Sequence, residues 1–257
     1  MNGPLSAFER AFDELQAALP ELLSTAAVEE HTSQQSKSLH KQNQQKLTHE
    51  IYAELETLRR RCRNGLSLIL QQLHAKQEAE IFSALPRLEQ ELEQRLYHVL
   101  SSPSFTQIIL RVVSGETWKE ALRLSDEAMK LLYEGAKEVF EEGRFEDATD
   151  CFCFLSWFDA RQYDFWMALG HSQFHCANHG NAISSYGVAS QCAPTESWPH
   201  IYAATCFEAL EDFDQATQAL TEGLEAERRK ASPDKGLLFT LEHKLEQYRR
   251  GSVTPIS

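Results

Sequence analysis

The stretch Trp166-Met167-Ala168-Leu169-Gly170, continued by Ala182-Ile183, Tyr186 and Ala189 and closed by Pro194, carries the spacing of two helices joined by a short turn. Gly170, Ala182 and Ala189 are small enough for the two helices to cross closely, while Trp166 and Tyr186 supply bulk for a neighbour. The pattern recurs on both sides, because Ala148, Ala182 and Ala216 stand 34 residues apart. Upstream, Leu132, Gly135 and Ala136 precede a turn at Gly143 and Phe145, then Ala148, Phe152 and Leu155. Downstream come Ala203-Ala204, Phe213, Ala216, Leu220 and Gly223.

A 34-residue period with small residues at the crossing points is the mark of the tetratricopeptide repeat, a helix pair that buries its apolar face only by stacking on the next pair. The predicted fold is therefore all-α: three tandem repeats between Met129 and Arg228, stacked as an α-solenoid. A last helix covers the end of the stack. Leu237, Leu238, Leu241, Leu245 and Tyr248 give it one apolar face, with Ser232 as N-cap and Pro233 at its first position.

The chain before the repeats has a different character. Leu5, Phe8, Phe12, Leu15 and Leu19 form an amphipathic stripe, and Pro20 interrupts it. Residues 31–43 are polar and read as a linker or frayed helix. From Gln44 to Leu85 a long helix is expected, its stripe Leu47, Ile51, Leu55, Leu58, Cys62, Leu66, Ile69 and Leu73 advancing in steps of three or four. Pro86 is expected to stop it, and Leu88, Leu92, Leu96, Val99 and Leu100 to form a shorter return helix. One-sided stripes need a partner, so these helices make an antiparallel, coiled-coil-like hairpin or a dimerising segment. A short helix over 105–113 follows, then one capped by Thr117 or Glu116. The division expected is a helical extension, 1–104, and a repeat domain with its capping helix, 105–257.

Composition narrows the functional classes. An apolar fraction of 42% is that of a globular chain, and six cysteines without a paired framework read as reduced thiols of a cytoplasmic protein. No signal peptide and no membrane-spanning segment are expected. The net charge of −13 is concentrated in the repeats, where residues 131–227 hold 17 acidic and three basic side chains. Such a surface repels phosphate backbones, which argues against a nucleic-acid partner.

Catalytic motifs are missing: the sequence has no phosphate loop, dinucleotide fingerprint or nucleophile elbow, and no cofactor is expected. His171, His175 and His179 step by four beside Cys176, a spacing that two metal-ligating histidines can share. No carboxylate joins them, so they are read as groove histidines without a metal. The better-defined surface is for a peptide. First helices of stacked repeats line the concave side, which places Tyr133, Lys137, Phe140, Met167, His171, Phe174, Trp198, Ile201 and Tyr202 along a groove. Aromatic rings and Met there offer pockets to apolar side chains of an extended segment.

Further residues carry a resemblance to a known family. Leu132-Tyr133-Glu134-Gly135-Ala136, the turn Gly143-Arg144-Phe145-Glu146-Asp147-Ala148, Phe152-Cys153-Phe154-Leu155 with Asp159, Trp166-Met167-Ala168-Leu169-Gly170 and Ala203-Ala204-Thr205-Cys206 resemble the class II chaperones of bacterial type III secretion. The similarity covers residues 108–228. It implies a bacterial cytoplasmic chaperone, not an enzyme, that holds an extended segment of a hydrophobic translocator in its groove and keeps that client soluble before secretion. For residues 1–104 three roles stay open: a homodimer contact, a cover for the groove, or contact with a secretion-apparatus component. The alternative is a repeat scaffold that assembles a complex through its helical extension.

Overall fold

The structure is a computed structural model that describes residues 3–13, 17, 34–76, 79–100, 108, 111–112 and 114–249. Among these it is helical, with no strand, and it divides into two compact units, Met1–Leu132 and Tyr133–Ser257.

In the first unit, residues 4–13 are helical and bury Ala7, Phe8 and Phe12. Arg59 fixes this segment by donating to Glu9 at 2.6 Å and pairing with Asp13 at 2.8 Å, and Arg63 pairs with Glu9 at 2.7 Å. Arg59 and Arg63 are thus structural. The long helix, α1, is Gln34–Ala75. It begins before the start expected at Gln44, so residues 34–43 follow the helical and not the linker reading, because Gln and Lys are good helix formers and extend a helix nucleated downstream.

The return helix, α2, is Ala79–Leu100 and contains Pro86 in its interior. Proline was expected to stop a helix, and its missing N–H and ring clash cost about 3 kcal/mol. Here the cost is offset by burial: Leu85, Leu88, Leu92 and Leu96 are all at most 4% exposed, matched on α1 by Leu66, Ile69, Leu70 and Leu73. The chain instead breaks after Ala75. Of the helix expected over 105–113, only residues 108, 111 and 112 are described, and they are helical; the boundary expected at 104 lies outside the described residues.

Thr117 caps the short α3, Trp118–Leu122, through a reciprocal box in which it accepts from Glu120 N–H and its own N–H donates to the Glu120 carboxylate at 2.7 Å. Ser125 then caps α4, Asp126–Glu141, by accepting the Ala128 N–H at 3.1 Å. Glu91 of α2 holds Ser125 in turn, accepting its N–H at 2.6 Å and its hydroxyl at 2.9 Å.

The second unit is built from helix pairs. After α4 come α5, Phe145–Phe158; α6, Tyr163–His175; α7, His179–Cys192; α8, Trp198–Ala209; and α9, Phe213–Arg228. From α5 onward each helix packs on the next, through to α10, Lys235–Arg249, which packs on α9. The alanines that set the period, Ala148, Ala182 and Ala216, are 0% exposed. The turns repeat too: Gly143, Ala177 and Glu211 all have positive φ, at 78°, 57° and 59°. Each reverses the chain with one left-handed residue, and only the first is a glycine.

The start of α10 differs from expectation. Asp234, not Ser232, is its N-cap, accepting N–H bonds from Gly236 at 2.8 Å and Leu237 at 3.1 Å. The reason lies in Glu227, which is 1% exposed and takes the Asp234 N–H at 2.9 Å, the Ser197 hydroxyl at 2.7 Å and Lys230 at 2.9 Å. One buried carboxylate thereby ties α8, α9 and the start of α10, and sets where the last helix begins.

Candidate functional site

α4, α6 and α8 are the first helices of the three pairs, and they carry the residues singled out as groove lining. Tyr133 is half-buried between Phe152, 6.1 Å away between ring centroids, and Phe165 at 5.4 Å. Burial first, then the charges of Asp164 and Glu134, push its phenol above the ordinary value. Phe140 lies edge-on to Phe145 at 5.2 Å, and Phe145 stacks flat on His175 at 4.2 Å. Lys137 is exposed and pairs with Glu141 at 3.5 Å.

Met167 has a different fate. It is 8% exposed and packs in the core with Ala182, Tyr186 and Ala203, which commits it to holding repeats together. Phe174, Ile201 and Tyr202 are partly buried against the same core.

The tightest constellation gathers around His171. Its Nδ1 is 2.9 Å from the Tyr186 hydroxyl, and its ring meets Tyr202 edge-on at 4.5 Å. Tyr186 stacks on Tyr202 at 5.6 Å, and Tyr202 lies 5.9 Å from Trp198, which is 44% exposed. The structure therefore brings His171, Tyr202 and Trp198 together, while Tyr133 and Phe140 make separate ring contacts. Tyr186 was read from sequence only as packing bulk. Its polar role needed a partner 15 residues away on another helix, and no local pattern marks that.

Other features bound the chemistry. Burial pushes the thiols of Cys151 and Cys206 up to about 12 and raises Cys176 and Cys192 as well, so these sulfurs stay protonated and weakly nucleophilic. Among the described residues no group of three or more His, Cys, Asp or Glu is arranged to hold a metal, and no helix is long and apolar enough to cross a membrane. A separate crevice of about 220 Å³ is lined by Ile183, Tyr186, Ala203, Phe207 and Ala219, with His200 and Glu222 3.3 Å apart within it.

No protein-family model matches the chain, and no curated protein sequence does. Solved structures do match. A type III secretion (T3SS) complex from Aeromonas hydrophila contains a chain similar at a TM-score of 0.51 and 19% identity, over 58% of this chain and 97% of that one. SycD, the type III secretion translocator chaperone of Yersinia enterocolitica, gives 0.47 and 24%, over 51% of this chain and 98% of SycD. PcrH from Pseudomonas aeruginosa, solved with the chaperone-binding region of PopD, gives 0.46 and 20%, over 51% and 97%.

The Aeromonas hydrophila match shows a shared fold over 58% of this chain. At 19% identity the likeness is one of architecture; what the site binds has to be argued from the site.

Proposed function

We propose that the repeats bind an extended, apolar segment of a client protein along α4, α6 and α8, and that the client is a translocator of type III secretion, shielded in the bacterial cytoplasm before export. One observation carries this reading: the ring series Tyr186, Tyr202, Trp198 runs from a side chain 1% exposed to one 44% exposed. A large ring left in solvent at the end of a rigid stack is a ready platform for an apolar side chain. The sequence resemblance supplies the class of client, and no bond is made or broken in the process.

The test is co-expression with a translocator-type protein carrying long apolar segments. Replacing Trp198 and Tyr202 together by Ala should cut co-purification at least tenfold and send the client to the insoluble fraction, with circular dichroism unchanged. Full retention of soluble client would reject the assignment.

A further inference from the structure

Tyr186 is 1% exposed and makes one hydrogen bond, to Nδ1 of His171 at 2.9 Å. Two protonation patterns could give that contact, and only one leaves no buried group unpaired. Burial, together with the nearby Cys206 and Tyr202, holds the phenol proton on far above neutral pH, while burial and then His175 lower the basicity of His171. A phenol thus faces a neutral imidazole that carries one N–H. Were that proton on Nδ1, the Tyr186 O–H would have no acceptor inside the protein, a costly arrangement for a buried donor. With Tyr186 donating, Nδ1 accepts and the ring proton sits on Nε2.

Among the described residues Nε2 has no hydrogen-bond partner, and it is not one of the fully enclosed polar atoms left unpaired; His171 as a whole is partly exposed. The ring cannot readily turn to hide it, held by the Tyr186 bond on one side and by Tyr202 at 4.5 Å on the other. The result is a neutral N–H donor without a partner among the described residues, on a ring that shares Tyr202 with the 44%-exposed Trp198.

We infer that His171, oriented by Tyr186, donates its Nε2–H to a main-chain carbonyl of the bound segment, whose adjacent apolar side chain rests on Tyr202 and Trp198. This rests on the peptide-binding reading above and specifies how the segment is held. A main-chain carbonyl fits the donor better than an anion does, because the imidazole is uncharged and the repeats carry 17 acidic side chains against three basic ones over residues 131–227. Every residue of an extended chain offers that carbonyl, so the contact fixes the path of a segment without demanding one sequence.

The experiment uses the full chain and a peptide selected from a random library for binding to it and for loss of binding to Trp198→Ala. Nitrogen-15 spectra of the free protein should show His171 as the Nε2–H tautomer, and Tyr186→Phe should abolish that preference. His171→Ala should weaken the peptide about tenfold and Tyr186→Phe about threefold. Replacing successive peptide amides by esters should weaken binding at one carbonyl in the wild type and have no effect there in His171→Ala. An Nδ1–H tautomer, or unchanged affinity in His171→Ala with Trp198→Ala still defective, overturns the role of His171 and leaves the peptide reading standing. If no peptide depends on Trp198, both fall.

Discussion

The ring of Tyr186 lies directly over Gly170: a Cβ added to Gly170 would sit 2.5 Å from Cε1, 2.7 Å from Cδ1 and 2.9 Å from Cζ of that ring. Tyr186 is enclosed in the core and cannot swing aside, so the glycine is required by space, not by backbone conformation. Gly170→Ala should lower stability by about 1–3 kcal/mol through overpacking. Because the displaced ring also carries the hydroxyl bound to His171, the same variant should disturb the His171 ring signals, an effect checked by thermal unfolding alongside histidine NMR.

The three turns make an opposite prediction. Ala177 and Glu211 occupy left-handed backbone, at φ of 57° and 59°, where the first repeat has Gly143. An L-residue pays about 1–2 kcal/mol for that conformation, part of which glycine forfeits in chain entropy. Ala177→Gly and Glu211→Gly should each stabilise the protein by about 0.5–1 kcal/mol in denaturant unfolding, and Gly143→Ala should destabilise it by about 1 kcal/mol.

Glu227 should give the repeats a pH dependence of defined sign. Burial by itself would raise its carboxyl, but the bonds from Ser197, the Asp234 N–H and Lys230 outweigh burial and hold it below the usual glutamate range. A carboxyl depressed in the folded state contributes stability that is complete above its unfolded value of about 4.3 and disappears as pH falls through the lower folded value. Wild type should therefore lose stability relative to Glu227→Gln below about pH 4.5, with no pH-dependent difference between them near neutrality. Urea titrations at a series of pH values measure this directly.

In the first unit, Arg59 holds residues 4–13 through Glu9 and Asp13. Its side chain is 18% exposed, and hydrogen bonds to charged partners in such settings contribute about 1.5–3 kcal/mol. Arg59→Ala should loosen the segment around Phe8 and Phe12 and open it to limited proteolysis, while leaving the tryptophan fluorescence of the repeats unchanged.

Much of the repeat architecture was legible because stacking constrains residue size at fixed intervals. Ala148, Ala182 and Ala216 are fully buried where helices cross, and a larger side chain at any of them would force the helices apart. The first unit was less legible. Pro86 is a strong local stop signal, yet it lies inside α2, since a run of leucines packed against α1 contributes more than one missing N–H removes. The cap of α10 was displaced from Ser232 to Asp234 for a similar reason: Glu227 captures the Asp234 backbone, and that partner is seven residues away.

Along the candidate site, helical spacing proposes a shared face but does not say how deeply each side chain is sunk. Met167 and Trp198 were assigned to the same groove on the same grounds, yet one is 8% and the other 44% exposed. Depth depends on how far each helix is tilted into its neighbour, which is settled by side chains from the adjoining repeat.

By itself the sequence determined the helix pairs, their 34-residue register and their acidic character, because periodicity and residue volume act through near neighbours along the chain. Only the tertiary structure decided that Tyr186 reaches His171, that Gly170 must stay bare, and that Trp198 is left in solvent. Those facts depend on distances between helices, and a distance of that kind arises only when the whole stack has closed around its core.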